Sequence, residues 1–377
     1  MNFNGTPLQY TLLALLTTSA LFQVWYYIRY YLRSARWRYS PAGTNHAEPV
    51  SVIICARNEA ENLREYLPLV LNQNHPDFEV IVVNDASEDD SDMVLSAFMS
   101  QYPNLRISNI KPDPRFHHNK KLAQVIGIKA AKNNLLLLTD AGCRPESDSW
   151  LTQMTAPMAN GWEIVLGYAG YSGSPGLLNR YVRYDAMFIA MQYTGMALAG
   201  MPYMGVGRNL AYRKDLFMKG NGFASHYHIA SGDDDLFVNA NATAVNTAVE
   251  LGIDAHIRSV SPSNINEFFR QKKRRIITTP LYKTGDRIRI ILEPVARTIF
   301  HVSAGTLISM LFLWPLILGV LMLLILLKLI VLSMASKTFN EKGLVLPSLM
   351  FDIISPVINS LLYIAKFGNQ AGKKAWR

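Results

Sequence analysis

Short apolar runs alternate with helix-like segments between residues 50 and 140, and this alternation restricts the fold more than any other feature. The runs are VSVIICA (50–56), EVIVVND (79–85), LRISNI (105–110) and LLLLTD (135–140). Their β-branched residues and leucines favour buried strands, and the segments between them repeat apolar residues with helical spacing. This order predicts an α/β fold whose mostly parallel, Rossmann-like sheet has helices on both faces.

Polar and charged residues stand where three of these predicted strands end. Arg57, Asn58 and Glu59 follow the first run, Asp85 ends the second and Asp140 ends the fourth. Ligands of such sheets bind outside the carboxyl ends of the strands, so we expect these side chains to share one crevice. A carboxylate there can accept hydrogen bonds from a nucleoside or bind Mg²⁺ or Mn²⁺. Either aspartate alone could instead be the N-cap of the next helix.

Two glycine-rich phosphate-binding patterns do not occur in the chain. No G-x-G-x-x-G follows the first predicted strand, and no G-x-x-x-x-G-K-[ST] is present anywhere. These observations argue against a dinucleotide-dependent dehydrogenase and a P-loop NTPase.

Three further clusters of charge have a possible role in chemistry. Lys120 and Lys121 open a predicted helix, where cations are unfavourable unless an anion docks, although a solvated basic patch would look the same. SGDDDLFVN (231–239) places three aspartates together, which favours a general base with a raised pKa or, alternatively, a simple first helical turn. FFRQKKRR (268–275) could contact lipid headgroups, or its Gln271 and Arg274 could hold a diphosphate leaving group.

Apolar segments near both ends predict an integral membrane protein. Residues 8–28 carry no charge, match the length of a membrane-spanning helix and precede arginines and aromatic residues, which indicates an anchor whose C-terminal end is cytoplasmic. Residues 299–334 are too long for one span, so we expect a hairpin broken near Pro315 and Gly319. Residues 344–365 contain prolines and Asp352, which favours an interfacial helix before the basic tail. If 299–334 were a single span, 344–365 would have to cross back.

These patterns divide the chain into three parts. Residues 1–38 would be the anchor and a basic linker, 39–294 a cytoplasmic catalytic domain, and 295–377 a C-terminal membrane region with a hairpin, an interfacial helix and a basic tail. The formal net charge of +9 lies largely beside the apolar segments, so it predicts a membrane partner and no nucleic acid.

With these residues in view, the chain resembles the membrane-bound, inverting glycosyltransferases of family 2, which have the GT-A fold. The resemblance covers essentially the whole chain and is carried by seven motifs in order. They are VSVIICARNEAENL, VIVVNDASEDDS, KKLAQVIGIKAA, LLLLTDAGCRP, GVGRNLAYRKDLF, SGDDDLFV and QKKRR. It implies a hexosyltransferase of cell-envelope glycans with a nucleotide-sugar donor, a UDP-sugar in our expectation, and a lipid or lipid-linked acceptor. The expected location is a bacterial inner membrane.

The resemblance also implies roles for particular residues. Asp234 would be the general base, flanked by Asp233 and Asp235, and Asp140 would match the first Asp of the DxD metal motif. The nucleotide would be held by Arg57, Asn58, Glu59, Asp85, Lys120, Lys121 and Asp140. The leaving group and acceptor would be met by Gln271, Arg274, Arg275, Arg208 and Asn209.

The chain departs from the family pattern at two positions. Gly142 stands where DxD has its second Asp, so a divalent cation would be held by Asp140 and the phosphates of the substrate, or replaced by the lysines. Arg275 stands where QxxRW has its Trp, so we expect one sugar to be added per cycle and no processive synthesis.

Two other functions remain open from the sequence. Transfer to polyprenyl phosphate would use a nucleophile that is already an anion, and Asp234 would then be dispensable. A degenerate transferase-like scaffold would explain Gly142 but not the retained aspartates and Gln271.

Overall fold

The computed structural model describes residues 5–38, 48–112, 119–229 and 231–368, with side chains described to Leu362. The basic tail beyond residue 368 and the linker residues 39–47 lie outside the described residues. The strands are β1 (Val50–Ala56), β2 (Phe78–Asp85), β3 (Leu105–Ile110), β4 (Leu135–Asp140), β5 (Cys143–Pro145), β6 (Ile164–Leu166), β7 (Ala169–Tyr171), β8 (Leu210–Arg213), β9 (Thr247–Val249) and β10 (Ile257–Ser259).

The main sheet has seven strands in the order β3-β2-β1-β4-β8-β6-β9, and a small sheet has the order β5-β10-β7. β1 pairs in parallel with both β2 and β4, and β8 runs antiparallel to β4 and β6. In this register Cys55 is opposite Asp140, and Ala56 is opposite Asn84. The carboxyl ends of the first, second and fourth strands are therefore level, which confirms the predicted mostly parallel sheet.

Thirteen α-helices surround the two sheets or extend from them within the described residues. They are α1 (Pro7–Tyr26), α2 (Leu32–Ala35), α3 (Ala60–Leu71), α4 (Ser91–Met99), α5 (Lys120–Ala130), α6 (Trp150–Thr155), α7 (Leu177–Leu198), α8 (Lys214–Lys219), α9 (Asp235–Asn241), α10 (Ile265–Thr278), α11 (Thr284–Ser309), α12 (Trp314–Thr338) and α13 (Pro347–Gly368). A π-helical turn, Tyr27–Tyr31, joins α1 to α2.

Both faces of the main sheet are covered, as the near-continuous apolar strands require. Val52 and Ile54 of β1 pack with Leu63 of α3 in one core cluster. Ile53 faces the other side, where α5 comes so close that a Cβ on Gly127 would lie 2.7 Å from the Ile53 Cγ2 atom. Glycine at residue 127 therefore permits the helix to lie directly on the strand.

The N-terminal and C-terminal helices form one bundle. Residues Pro7–Ala35 and α12 are long and apolar enough to cross a membrane, judged by length and composition. α11 packs along α1, and the connection after α11 lies beside the start of α1, where the Tyr10 and Phe312 rings are 6.0 Å apart. The break in the apolar block thus falls at residues 310–313, just before Pro315, because Leu311 and Leu313 adopt left-handed backbone conformations there.

Buried ion pairs connect three helices of this bundle. Asp352 of α13 lies 2.8 Å from Arg297 of α11 and 2.6 Å from Lys328 of α12, and Glu293 lies 3.2 Å from Arg297. The carboxylate that interrupts the last apolar segment in the sequence is therefore paired inside the bundle. Removing one member would leave an uncompensated buried charge, which ordinarily destabilises a protein strongly.

A second set of buried charges fastens the bundle to the sheets. Glu341, in the loop after α12, is fully buried and pairs with Arg183 of α7 at 2.7 Å and with Arg258 of β10. The Tyr168 hydroxyl donates to the same carboxylate at 2.8 Å. The loop between α12 and α13 is thus held against the small sheet by three side chains.

Candidate active site

Two loops at the carboxyl ends of β1 and β2 are interlocked through Asn58. Its backbone, with φ at 55°, is in the left-handed region that asparagine tolerates. The Asn58 N–H donates to Ser87 Oγ at 2.9 Å, and the Glu88 N–H donates to Asn58 Oδ1 at 2.8 Å. Asn58 therefore shapes the crevice by joining its two rims.

The other residues predicted for the nucleotide lie around this junction. Arg57 and Glu59 flank Asn58, and Asp85 is fully buried at the end of β2. Burial, followed by repulsion from Asp140 and Asp89, raises the pKa of Glu59 despite a hydrogen bond from the Asn62 amide. Glu59 and Asp140, from adjacent strand ends, are thus close enough to sense each other's charge.

Lys120 joins the tip of β4 to the loop that carries the three aspartates. Its Nζ atom lies 2.7 Å from Asp140 Oδ1 and 3.5 Å from Asp233 Oδ2. Burial opposes the charge of this ammonium, but attraction to Asp140, Asp233 and Asp234 outweighs burial and holds the Lys120 pKa well above its ordinary value. A permanent cation therefore sits between two carboxylates at the mouth of the crevice.

The neighbouring Lys121 points to a different set of partners. Its Nζ atom donates to the carbonyl oxygens of His226 and Ile229 at 2.6 and 2.9 Å. Burial lowers the pKa of Lys121 to about 8. Lys121 thus holds the loop that precedes the aspartates, whereas Lys120 faces the carboxylates.

The three consecutive aspartates have three different environments. Asp233 faces Lys120, and Asp235 accepts hydrogen bonds from the Thr278 hydroxyl and, at 2.6 Å, from the Tyr282 hydroxyl. Asp234 is only partly buried and lies between them in sequence. One of the three carboxylates is therefore linked to the strand ends through Lys120, one is bound to the end of α10 and the segment after it, and one remains available to a ligand.

Asp234 is held in place by backbone groups. Its Oδ2 atom accepts from the Gly207 N–H at 2.7 Å, and its Oδ1 atom accepts from the Asp235 N–H at 2.8 Å. A Cβ at residue 207 would lie 3.1 Å from the Asp234 Cβ, so glycine gives the backbone its close approach. Burial, followed by repulsion from Asp233 and Asp235, raises the pKa of Asp234 to about 7. A carboxylate with this pKa can accept a proton near neutral pH.

Arg208 and Asn209 follow this glycine but face different surroundings. The Arg208 guanidinium lies 4.7 Å from the centre of the Tyr171 ring and donates to Ser259 Oγ and to the Ala169 carbonyl. Asn209 is fully buried and donates to two backbone carbonyls, while its Oδ1 atom accepts from the Trp150 indole at 3.0 Å. Asn209 thus braces the wall of the site from inside, while Arg208 faces a cavity.

The predicted basic motif lies on α10, and the helix turns its members in different directions. Gln271 Oε1 accepts from the Tyr171 hydroxyl at 3.0 Å, and Arg275, one turn later, lines the same cavity. Arg274 is exposed. Residues four apart share a helix face, so Gln271 is grouped with Arg275 in this structure.

Sequence reasoning did not identify the partners of Asp235. Thr278 and Tyr282 stand among ordinary residues after the basic motif, and no spacing pattern marks them. Lys272 was also missed as an individual residue, although it is buried and pairs with Asp185 of α7. These contacts join segments that are distant in sequence, so only the fold reveals them.

The chain is similar in sequence and in fold to known glycosyltransferases. Residues 51–220 match the model of the family described as Glycosyl transferase family 2. Glycosyltransferase AglE of Haloferax volcanii is 34% identical over 104 residues, which are 27% of this chain and 33% of that protein. The chain thus spans about a third of the length of this curated relative.

Two solved structures are similar to this chain to different degrees. The mannosyltransferase PcManGT from Pyrobaculum calidifontis, in complex with GDP-Man and Mn²⁺, is 17% identical and has a TM-score of 0.62, covering 97% of this chain and 100% of that one. TarS of S. aureus, residues 1–349, is 17% identical with a TM-score of 0.43 and covers 67% of this chain and 69% of that one. The predicted fold is confirmed by the similarity to PcManGT, and the predicted family is supported by the match of residues 51–220 to the glycosyltransferase family 2 model.

Proposed function

We propose that this protein is an inverting glycosyltransferase that moves one sugar per cycle from a nucleotide-sugar to a hydroxyl of a membrane-associated acceptor, with Asp234 as general base. The observation that carries the proposal is the environment of Asp234. Its carboxylate is oriented by two backbone N–H groups, has a pKa of about 7, and adjoins the Lys120 cluster at the strand ends. A base in this position can take the proton of an acceptor hydroxyl next to a donor bound at the strand ends.

The donor side of the site is assigned to the strand ends. The Asn58 junction and the buried Asp85 form the rims of the crevice, and Lys120 supplies positive charge beside Asp140. PcManGT was solved with GDP-Man, whereas the sequence leads us to expect a UDP-sugar here. The binding experiment below therefore compares nucleotides with different nucleobases.

A divalent cation fits this site through a single carboxylate. Asp140 keeps 33% of its side chain exposed, and Gly142 adds no ligand. Within the described residues, no group of three or more histidines, cysteines, aspartates or glutamates is placed to hold a metal ion. PcManGT contains Mn²⁺, and Mg²⁺ or Mn²⁺ commonly combines one or two carboxylates with substrate phosphates. Asp140 would hold such an ion, which would neutralise charge on the leaving diphosphate.

The chemical step follows from the placement of Asp234. It takes the proton of the acceptor hydroxyl as that oxygen attacks the anomeric carbon, and the bond from this carbon to the diphosphate breaks on the opposite face. Lys120 stabilises the negative charge that develops on the departing nucleoside diphosphate. Because one displacement occurs, the anomeric configuration is inverted.

The first test is calorimetric binding of nucleotides to the detergent-solubilised full chain. UDP, GDP and CMP are titrated with Mn²⁺, Mg²⁺ or EDTA, using wild type, Asp140→Asn and Lys120→Gln. We expect one diphosphate to bind best with metal and to lose at least tenfold in affinity in Asp140→Asn. Lys120→Gln should weaken binding in EDTA more than with metal, since it removes the built-in cation. Binding of no nucleotide under any condition would refute the proposed function.

The second test concerns the base itself. With the donor identified, Asp234→Asn should bind the nucleotide as wild type does and lose at least a hundredfold in turnover. Unchanged turnover in this variant would instead indicate transfer to polyprenyl phosphate, whose nucleophile needs no base. The exposed Asp254 gives the matched control, Asp254→Asn, for which both readouts should be unchanged.

A further inference from the structure

The end of α10 and its connection to α11 are bound to one side of the short helix α9. Asp235 Oδ2 accepts from the Tyr282 hydroxyl at 2.6 Å and from the Thr278 hydroxyl. One turn later on α9, Asn239 Oδ1 accepts from the Lys283 N–H at 2.9 Å. Residues four apart share a helix face, so the two contacts fix the same side of α9 to this connection.

The hydroxyls of Thr278 and Tyr282 stabilise a buried charge. Both residues and Asp235 are buried. Burial raises the pKa of Asp235 above its ordinary value, and the hydrogen bonds from the two hydroxyls and from the Leu236 N–H oppose this rise. A buried carboxylate that loses such donors keeps its desolvation cost without compensation, which favours its protonated form. The two hydroxyls therefore favour the ionised form of Asp235.

Asp234 and Asp235 compete for a proton because neighbouring carboxylates repel each other and titrate as a coupled pair. They are joined directly, since Asp234 Oδ1 accepts from the Asp235 N–H at 2.8 Å. Within the described residues, Asp234 accepts hydrogen bonds from two backbone N–H groups, whereas Asp235 accepts from one N–H and two hydroxyls. The additional donors favour the negative charge on Asp235 and leave the proton to Asp234.

Other titratable groups act on this pair from the elements packed around it. They are Asp233 in the same loop, Lys120 and Lys121 of α5, Tyr193 of α7, Tyr203 before β8 and Tyr212 of β8. Asp233 and Lys121 act on both carboxylates, so they decide little between them. Lys120 lowers the pKa of Asp234, but burial and repulsion outweigh it and still raise that pKa to about 7.

We infer that Thr278 and Tyr282 are positioning residues whose hydroxyls keep Asp235 charged, so that the proton of the acceptor hydroxyl goes to Asp234. The inference rests on the proposed function and specifies how one base is selected from three consecutive aspartates. In the transfer, the O–H bond of the acceptor breaks and an O–H bond forms on Asp234, while the charge of Asp235 does not change. Selection of the base thus depends on the contact between α9 and the connection that leads into α11.

The test follows protonated carboxyl groups by infrared spectroscopy while the full chain in detergent is titrated from pH 5 to pH 9. The absorption that is missing from Asp234→Asn identifies Asp234. In Tyr282→Phe and in Thr278→Val, this absorption should disappear at lower pH than in wild type, because Asp235 then takes the proton. Thr278→Ser retains the hydroxyl and should titrate as wild type does.

Tyr203→Phe is the matched control. It removes a buried hydroxyl that donates to the neutral Gln192 amide at 2.9 Å, so the titration of Asp234 should not change. If the Asp234 absorption is unmoved in both Tyr282→Phe and Thr278→Val, the contact only stabilises the fold and the inference is wrong. A shift of this absorption to higher pH would also overturn it.

Nucleotide binding, measured in the same variants, separates this inference from the proposed function. The titration needs no substrate, and Tyr282→Phe and Thr278→Val should bind UDP or GDP as wild type does. Absence of nucleotide binding by wild type would refute the proposed function whatever the titration shows. An unmoved Asp234 absorption with normal nucleotide binding would refute this inference alone.

Discussion

Asp234→Asn should make the protein more tolerant of alkaline pH while it abolishes turnover. The pKa of this carboxyl is raised from 3.8 to about 7, so the folded protein binds a proton there that the unfolded chain has lost. The contribution of this carboxyl to stability therefore falls as the pH rises from 3.8 to about 7 and is constant above that value. Substitution by asparagine removes this dependence.

The magnitude follows from the size of the shift. One pKa unit corresponds to about 1.4 kcal/mol, so ionised Asp234 lowers the free energy of unfolding by about 4 kcal/mol above pH 7. At pH 5.5 the corresponding loss is about 2 kcal/mol, which leaves a difference of about 2 kcal/mol between pH 5.5 and pH 8. Asparagine cannot accept both backbone N–H groups, but that cost is the same at every pH.

The assay is thermal unfolding of wild type, Asp234→Asn and the control Asp254→Asn in one detergent at pH 5.5, 7 and 8. Between pH 5.5 and pH 8, the melting temperature of wild type and of the control should fall by several degrees more than that of Asp234→Asn. The reason is that about 1 kcal/mol changes the melting temperature of a large domain by ~2–4 °C. Parallel profiles for all three proteins would refute the reasoning, because Asp234 would then be ionised throughout the range.

Two further predictions concern packing and buried charge. Gly195→Ala should lower the free energy of unfolding by about 1–3 kcal/mol, and with it the melting temperature, because a Cβ there would lie 2.2 Å from the Tyr30 carbonyl oxygen. Gly305→Ala is the control and should leave the melting temperature unchanged, since a Cβ there would meet nothing within 4 Å. Lys272→Met should lower the free energy of unfolding by about 3–5 kcal/mol because the buried Asp185 loses its partner. Adding Asp185→Leu should restore most of this loss. If the double variant is no more stable than Lys272→Met, the broken ion pair is not the cause.

The sheet was predictable from the sequence because its first four strands are marked locally. Val52 and Ile54 belong to a run that is apolar on both faces, and the polar residues after each run show where the strands end. The antiparallel β8, inserted between β4 and β6, was not predicted. Its four residues have no pattern that distinguishes pairing with β4, whose paired residues lie 72 to 78 positions earlier, from any other pairing.

The sequence could nominate residues for the candidate site, but it could not show how their side chains are oriented. Asp140 and Asp234 could be selected because carboxylates at strand ends and in clusters are unusual, yet nothing in the sequence shows that Lys120 would lie between Asp140 and Asp233. Spacing on α10 placed Gln271 with Arg274, whereas burial of neighbouring residues rotates the helix so that Arg275 faces the cavity. The rotation of a helix is decided by its tertiary contacts, which a single sequence does not contain.

The close contact of α7 with the N-terminal helix has a consequence for which acceptors can react. α7 forms one wall of the cavity, and the same helix is fixed to the anchor by the approach of Gly195 to Tyr30 and by the 2.6 Å hydrogen bond between Ser34 and Thr194. If α1 and α12 lie in a bilayer, the reacting hydroxyl must reach a constant height above it. The enzyme would then select acceptors by the distance between their reacting hydroxyl and the membrane. In a series of acceptors whose spacer between these two parts increases in length, turnover should have one sharp optimum.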